Sequence, residues 1–159
     1  MLCYQTLKRL IKFKMKNFKI DNSSLTLSFR FNKKIQEITK KFLHKKIKIK
    51  KDLYRFCLNK SKNDKLHQMI IFQTKNYIGE IKKHPLKDKS YHLISGKQLI
   101  TIYDAHGKIK KKIIMDKDNF FLWIGKNVYH TNVALNNKSI HIETISGPFD
   151  KKKDRKHLR

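Results

Sequence analysis

Short runs of alternating apolar and polar residues, separated by turn residues, occupy the chain from residue 47 to residue 145. Alternation with a period of two is typical of strands that bury one face, whereas the apolar residues of a helix recur every three to four positions. About eight to ten such runs follow one another at regular spacing, with a hairpin turn predicted at 104–107. This pattern predicts a single all-β domain, built as an antiparallel sandwich or barrel.

The N-terminal part of the chain has a different pattern. Within residues 33–46 apolar side chains recur at helical spacing and lysines fill the other face, which predicts one amphipathic helix. We expect residues 1–46 to form an N-terminal extension that contains this helix, and residues 47–150 to form the β domain. Residues 151–159 are nearly all charged, and we expect them to form a frayed basic tail.

The chain of 159 residues is strongly basic, with a formal net charge of +27. A basic surface attracts phosphate groups, so a nucleic-acid-binding β domain has to be considered. Two observations argue against it. Only five of the 39 basic residues are arginines, the residue best suited to bidentate recognition of phosphate and guanine. Most aromatic residues also fall on alternating positions that a core would bury, and not on an exposed basic face.

Cys3 and Cys57 are the two cysteines, and they do not form a Cys-x-x-Cys pair. This predicts neither a disulfide framework nor a zinc cluster, and it is compatible with a reducing compartment. Lysines and an arginine interrupt every apolar run in residues 1–20, so neither a signal peptide nor a membrane-spanning helix is predicted. We therefore expect a cytoplasmic protein.

The most informative cluster begins at Lys82-Lys83-His84, continues after four residues with Lys89, and ends after six more with Gly96. Residues i and i+2 of a strand face the same way, so such a frame can direct several side chains into one cavity. The frame resembles the first motif of the cupins: His-x-His, three or four residues, Glu, six residues, Gly. Residues 125–130, which end in His130, are similar to the second motif, Pro-x-Gly-x-x-His.

Three further segments resemble the WbuC family of cupin-fold metalloproteins. They are Tyr-Arg-Phe-Cys-Leu at 54–58, Tyr-Asp-x-x-Gly at 103–107, and Glu-x-x-x-Gly-Pro-Phe-Asp at 143–150. The aromatic ending that usually follows in this family is missing. The resemblance implies a single cupin-type antiparallel β-barrel, or jelly roll, here preceded by the amphipathic helix. It also implies a link to surface polysaccharide, in particular lipopolysaccharide O-antigen biosynthesis.

The resemblance implies that His84 and His130 are the remaining metal ligands, while Lys82 and Lys89 stand where a His and a Glu are lost. A lysine ammonium has three donors and no lone pair, so it cannot ligate a cation and repels one nearby. We therefore predict a degenerate site that holds a divalent metal weakly. Glu80, two residues before Lys82, is an alternative ligand if the strand extends that far.

We predict that His84 and His130 face one pocket, which is also lined by the side chains of Lys82, Lys89, Tyr91 and Glu80. Three functions remain open. The first is a WbuC-like protein with a degenerate or lost metal site, with sugar isomerisation or epimerisation as one conceivable activity and His84 or His130 as the base. The second is a non-catalytic binder of a small anionic or sugar-like ligand, and the third, least favoured, is a basic nucleic-acid-binding domain. The sequence leaves enzymatic activity, a homodimer, and an ion pair between Arg55 and Glu143 undecided.

Overall fold

A computed structural model of the protein describes residues 26–28, 52–59 and 61–158. Within these ranges the chain forms eleven strands and no helix, so the all-β prediction is confirmed for them. The helix predicted at 33–46 lies outside the described residues. No helix that could cross a membrane is found in the part of the chain that the structure describes. The strands are β1 (Thr26–Ser28), β2 (Leu53–Cys57), β3 (Leu66–Thr74), β4 (Lys82–Lys83), β5 (Lys89–Ser95), β6 (Gln98–Tyr103), β7 (Ile109–Met115), β8 (Phe121–Ile124), β9 (Tyr129–Ala134), β10 (Lys138–Ser146) and β11 (Lys156–His157).

The strands form two sheets. The first has six strands in the order β1-β2-β3-β10-β5-β8, and the second has five in the order β11-β4-β9-β6-β7. Strand β1 pairs with β2 in parallel, whereas the other pairs are antiparallel. From β3 to β6 each successive strand lies in the opposite sheet, which is the wrapping path of a jelly roll.

The inner faces of the two sheets build the core. Tyr91, Leu93, Ile100, Met115 and Ile124 form its apolar cluster, and Ile100 and Met115 are 0% exposed. Burying a side chain of this size stabilises the fold by about 1.5–3 kcal/mol. Strand β5 shows how the sequence pattern places these residues, because alternate positions along it point inward and outward.

Two turns of the motif segments require unusual backbone conformations. Gly96, which ends β5, has a φ of 90°, and a Cβ atom there would lie 2.5 Å from the carbonyl oxygen of Lys138. Asn127 has a φ of 65° in the turn before β9. Asparagine adopts this left-handed conformation more readily than most residues with a Cβ atom, so it can occupy the position where the cupin motif has glycine.

Residues 151–158 are not frayed, so the prediction of a frayed tail at 151–159 is wrong for them. Strand β11 pairs with β4, matching Lys156 with Lys83 and His157 with Lys82. Asp154 is only 7% exposed and forms an ion pair of 2.6 Å with Lys87. The high charge of the segment suggested exposure, but one of its charges has a buried partner far away in the sequence.

Candidate functional site

His84 and His130 are brought together by adjacent segments of the second sheet. His130 lies on β9 directly opposite Lys82 of β4, and His84 follows β4 by one residue. Their ring centroids are 6.1 Å apart, with 31° between the ring planes. Both side chains are buried, at 6% and 1% exposure. The two histidines that share the motif frame therefore lie beside each other inside the barrel.

Hydrogen bonds fix the protonation of both rings. The Nδ1–H of His84 donates to the carbonyl oxygen of Asp154 at 2.7 Å, and that of His130 donates to the carbonyl oxygen of Val128 at 2.9 Å. A carbonyl can only accept, so the proton of each neutral ring is on Nδ1 and each Nε2 is an acceptor. Both Nε2 atoms are buried and have no hydrogen-bond partner among the described residues. Burial, followed by the charge of Lys89, lowers the pKa of His84 from 6.5 to about 4 and that of His130 to about 3, so both rings are neutral at pH 7.

This arrangement meets only part of what a metal ion needs. An imidazole that donates Nδ1–H to a carbonyl and leaves Nε2 bare is held as metal-ligating histidines commonly are. Two lone pairs are nevertheless fewer than the three or four protein ligands of a stable site. Across residues 52–59 and 61–158, no group of three or more His, Cys, Asp or Glu side chains could hold an ion. The residues present do not fit the complete metal site that the resemblance implies.

Lys89, at one of the lost ligand positions, is buried in the barrel at 2% exposure. Its Nζ lies 3.4 Å from Oε2 of Glu143 on β10, and 4.6 Å from the centroid of the Tyr91 ring. Burial alone would raise the pKa of Glu143, but the charges of Lys89 and Lys82 outweigh it and hold that pKa well below its usual range. A buried ion pair thus occupies this side of the site.

Lys82, at the other lost position, lines a pocket that opens to solvent. The pocket and the open solvent at its mouth together occupy about 350 Å³. Burial, followed by the charge of Lys89, lowers the pKa of Lys82 from 10.5 to about 7. Burial also raises the pKa of Tyr91 well above its ordinary value, so its phenol stays protonated. The polar lining includes Arg55, Gln73, Lys82, Tyr91, His130 and Glu143.

Glu80 does not lie on the strand that carries Lys82, where the sequence had suggested an alternative ligand. Strand β4 consists of Lys82 and Lys83 alone, so the period-two argument does not extend back to residue 80. The Glu80 side chain is 80% exposed at the rim of the pocket, and its Oε2 lies 3.0 Å from Nδ1 of His157. Glu80 therefore belongs to the pocket lining, as the sequence predicted, but as a surface group at its mouth, and the strand that its role as a ligand required is absent at this position.

Sequence reasoning missed His141, which lies on β10 and is 1% exposed. Its Nδ1 lies 2.6 Å from Nε2 of Gln98, and its ring centroid lies 5.4 Å from that of Tyr91. Burial lowers the pKa of His141 from 6.5 to about 3. His141 and Glu143 are two residues apart on one strand, so the same period-two argument could have found them together.

Two segments of the WbuC resemblance contribute side chains to this pocket. Arg55 comes from the segment at 54–58 and Glu143 from the segment at 143–150, and both line it. The sequence left a pair between Arg55 and Glu143 undecided. In the structure Glu143 forms its ion pair with Lys89. The positive charge of Arg55 also lowers the pKa of Glu143.

Comparison with known proteins identifies the fold. No family model matches this sequence, and no curated protein matches it. Among solved structures, a crystal structure of CapF with the inhibitor 3-isopropenyl-tropolone is 15% identical with a TM-score of 0.56, over 67% of this chain and 31% of that one. KdgF from Halomonas sp. is 14% identical with a TM-score of 0.52, over 66% of this chain and 88% of that one.

Both are cupin-fold proteins. The matched region corresponds to about a third of the CapF chain, and at this level of identity the likeness concerns the fold alone. The comparisons and the two-sheet topology together show that this chain has the cupin fold.

Proposed function

We propose that the protein is a WbuC-like cupin-fold protein of surface polysaccharide biosynthesis, in particular that of lipopolysaccharide O-antigen, and that its pocket binds a small anionic or sugar-like ligand. One observation carries this proposal. Of the lysines at the two lost ligand positions, Lys82 lies opposite His130 and lines the pocket, and Lys89 is buried beside two other lining residues, Glu143 and Tyr91. Cationic side chains have taken the place of metal ligands.

The charges around the pocket favour an anion. Lys89 and Glu143 offset each other as an ion pair, and the three buried histidines are neutral. Arg55 then adds positive charge to the lining, and Lys82, with a pKa of about 7, adds charge to the extent that it is protonated. Charge-assisted hydrogen bonds in a partly desolvated site are roughly twice as strong as neutral ones, and the arginine fork matches carboxylate and phosphate oxygens.

The uncharged lining of the pocket suits a sugar. Gln73, Tyr77 and Asn132 supply neutral donors and acceptors, the kind of groups that bind hydroxyls. A monosaccharide acid or a sugar phosphate carries both the anionic group and the hydroxyls that such a lining binds.

Catalysis is the second candidate. His84 and His130 carry unprotonated Nε2 atoms, which is the state a general base requires. A general base works best when its pKa lies near the working pH, and pKa values of about 4 and 3 make these histidines weak bases at neutral pH. Binding is therefore favoured over proton transfer.

Calorimetry on tag-free protein tests the pocket with inorganic phosphate, glucose 6-phosphate and glucose. We expect inorganic phosphate and glucose 6-phosphate to bind. Lys82→Met should lower the affinity for both about 10- to 100-fold, which is the effect of losing one hydrogen bond to a charged group. Lys83→Met is the matched control, because Lys83 stacks over the Tyr129 ring and is not part of the pocket lining. Unchanged anion affinity in the Lys82 variant would contradict the pocket assignment.

The biosynthetic role has a separate test. Deleting the gene in its host should alter the length or composition of the surface polysaccharide, and re-expression of the natural chain should restore it. An unchanged polysaccharide would contradict the pathway and would leave the ligand pocket standing on its own measurement.

A further inference from the structure

The segment after β10 returns to the second sheet and meets His84. The carbonyl oxygen that accepts the His84 Nδ1–H belongs to Asp154, 70 residues further along the chain. His84 thus depends on this distant segment for the contact that selects its tautomer. With Nδ1 protonated, the bare Nε2 is the ring nitrogen left for the interior of the barrel.

Asp154 is held in place by its own side chain. Its carboxylate accepts hydrogen bonds from Lys87 Nζ at 2.6 Å and from the backbone N–H of Asp150 at 2.8 Å. The backbone N–H of Asp154 in turn donates to the carbonyl oxygen of Asp150 at 2.9 Å. Lys87 and Asp154 are 11% and 7% exposed, so this ion pair is largely removed from solvent. Residues 150–154 therefore form a closed turn. Lys87, which anchors this turn, lies three residues after His84 in the sequence.

The same segment supports the strand that carries Lys82. Strand β4 is two residues long and makes one register pair with β9, between Lys82 and His130. On its other edge β4 pairs with β11, and the N–H of Leu158 donates to the carbonyl oxygen of Ile81 at 3.0 Å. Two-residue strands are weakly held by a single neighbour. The C-terminal segment therefore supplies much of what fixes β4.

We propose that residues 150–158, which we name the C-terminal clasp, position the pocket, with Asp154 as the positioning residue that sets the tautomer and orientation of His84. Ordinary packing of a chain end would stabilise the fold without controlling one ring nitrogen. The clasp instead contacts both β4, which carries the pocket residue Lys82, and His84, which lies beside the pocket residue His130. The effect on ligand affinity rests on the proposed function, whereas the effect on the tautomer does not.

The experiment breaks the anchor from both sides, with Asp154→Ala and with Lys87→Met. Asp154→Asn keeps an acceptor for the Asp150 N–H but removes the charge. Lys153→Met is the matched control, because it removes a lysine of the same segment whose ion pair with Asp150 is long, at 3.9 Å, and exposed. Nitrogen NMR of the histidine rings reports the tautomer of His84, and calorimetry with inorganic phosphate reports the pocket.

In the natural chain and in Lys153→Met we expect His84 to be in the Nδ1–H form. Asp154→Ala and Lys87→Met should give a mixture of the two tautomers. They should also weaken phosphate binding about tenfold or more, because the clasp pairs with β4 and so holds Lys82, which donates to the anion in the proposed function. Asp154→Asn should fall between. If Asp154→Ala does not fold, Lys87→Met and Asp154→Asn decide the outcome.

If His84 keeps the Nδ1–H form in the Asp154 and Lys87 variants that fold, the proposed role of the clasp is overturned. The same holds if phosphate affinity in these variants stays at the natural value. A shifted tautomer in a protein whose natural form binds no phosphate would support the clasp and contradict the proposed function. The two proposals therefore fail in distinguishable ways.

Discussion

The ion pair between Lys89 and Glu143 allows a quantitative prediction. Lys89→Met removes the ammonium that lies 3.4 Å from Oε2 of Glu143, while the methionine retains most of the buried volume. Glu143, whose side chain is only 15% exposed, then loses its ion-pair partner, and the charges of Lys82 and Arg55 compensate only part of its own. Removing one partner of a buried pair destabilises a protein by about 3–5 kcal/mol. For a chain of this size that corresponds to a fall in melting temperature of roughly 6–20 °C.

The double variant Lys89→Met/Glu143→Leu separates the ion pair from simple packing. Replacing both partners by apolar residues is often neutral or stabilising by about 1–4 kcal/mol, so the double variant should regain most of what the single one loses. Lys153→Met, which breaks the exposed pair with Asp150, should cost about 0–1 kcal/mol.

Urea unfolding followed by far-ultraviolet circular dichroism measures all four proteins at one pH. A loss below about 1 kcal/mol in Lys89→Met would refute the reasoning, because it would be no larger than the effect of an exposed pair. A double variant as unstable as the single one would also refute it, since the cost would then come from lost packing and not from an unpaired carboxylate.

Stability should fall in acid because burial lowers the pKa values of His84, His130 and His141 from 6.5 to about 4, 3 and 3. Below pH 6.5 the unfolded chain binds more protons, so the loss grows as the pH falls towards 4, reaching about 2 kcal/mol per histidine at pH 5; melting temperatures that stay level from pH 8 to pH 5 would contradict this. Gly96→Ala should destabilise by at least about 1–3 kcal/mol, because a Cβ atom at a φ of 90° meets a carbonyl oxygen at 2.5 Å. Gly125→Ala, whose Cβ atom would come within 3.8 Å only of Asp88 Oδ1, should cost less, and equal losses in urea unfolding would refute the strain argument.

The sequence was sufficient for the features that depend on local pattern. Period-two alternation predicted the strands, and motif spacing predicted that His84 and His130 belong to one frame with Gly96. The partner of Lys89 could not be predicted in this way, because Glu143 lies 54 residues further along the chain and nothing local selects it. Asp154 was hidden for a similar reason, since its segment is charged throughout and only the fold brings it to Lys87.

Glu80 shows the opposite error, in which a local rule was carried too far. Period-two reasoning holds only where a strand continues, and β4 begins at Lys82. The short β4 follows from its position between β9 and β11, which is a property of the sheet and not of the segment. Local pattern therefore predicts which side chains can share a face, and tertiary contacts decide how far that face extends.

The proposal that lysines have replaced metal ligands in this barrel is tested most directly by a metal titration. Lys82→His combined with Lys89→Glu restores a His-x-His-plus-Glu set with His130 and removes two positive charges. Tag-free natural chain and double variant would be compared by elemental analysis and by calorimetry with Fe, Mn, Ni and Zn. We predict weak binding by the natural chain and affinity at least about 100-fold higher in the double variant. Stoichiometric metal in the natural chain, or a double variant that binds no better, would contradict the account.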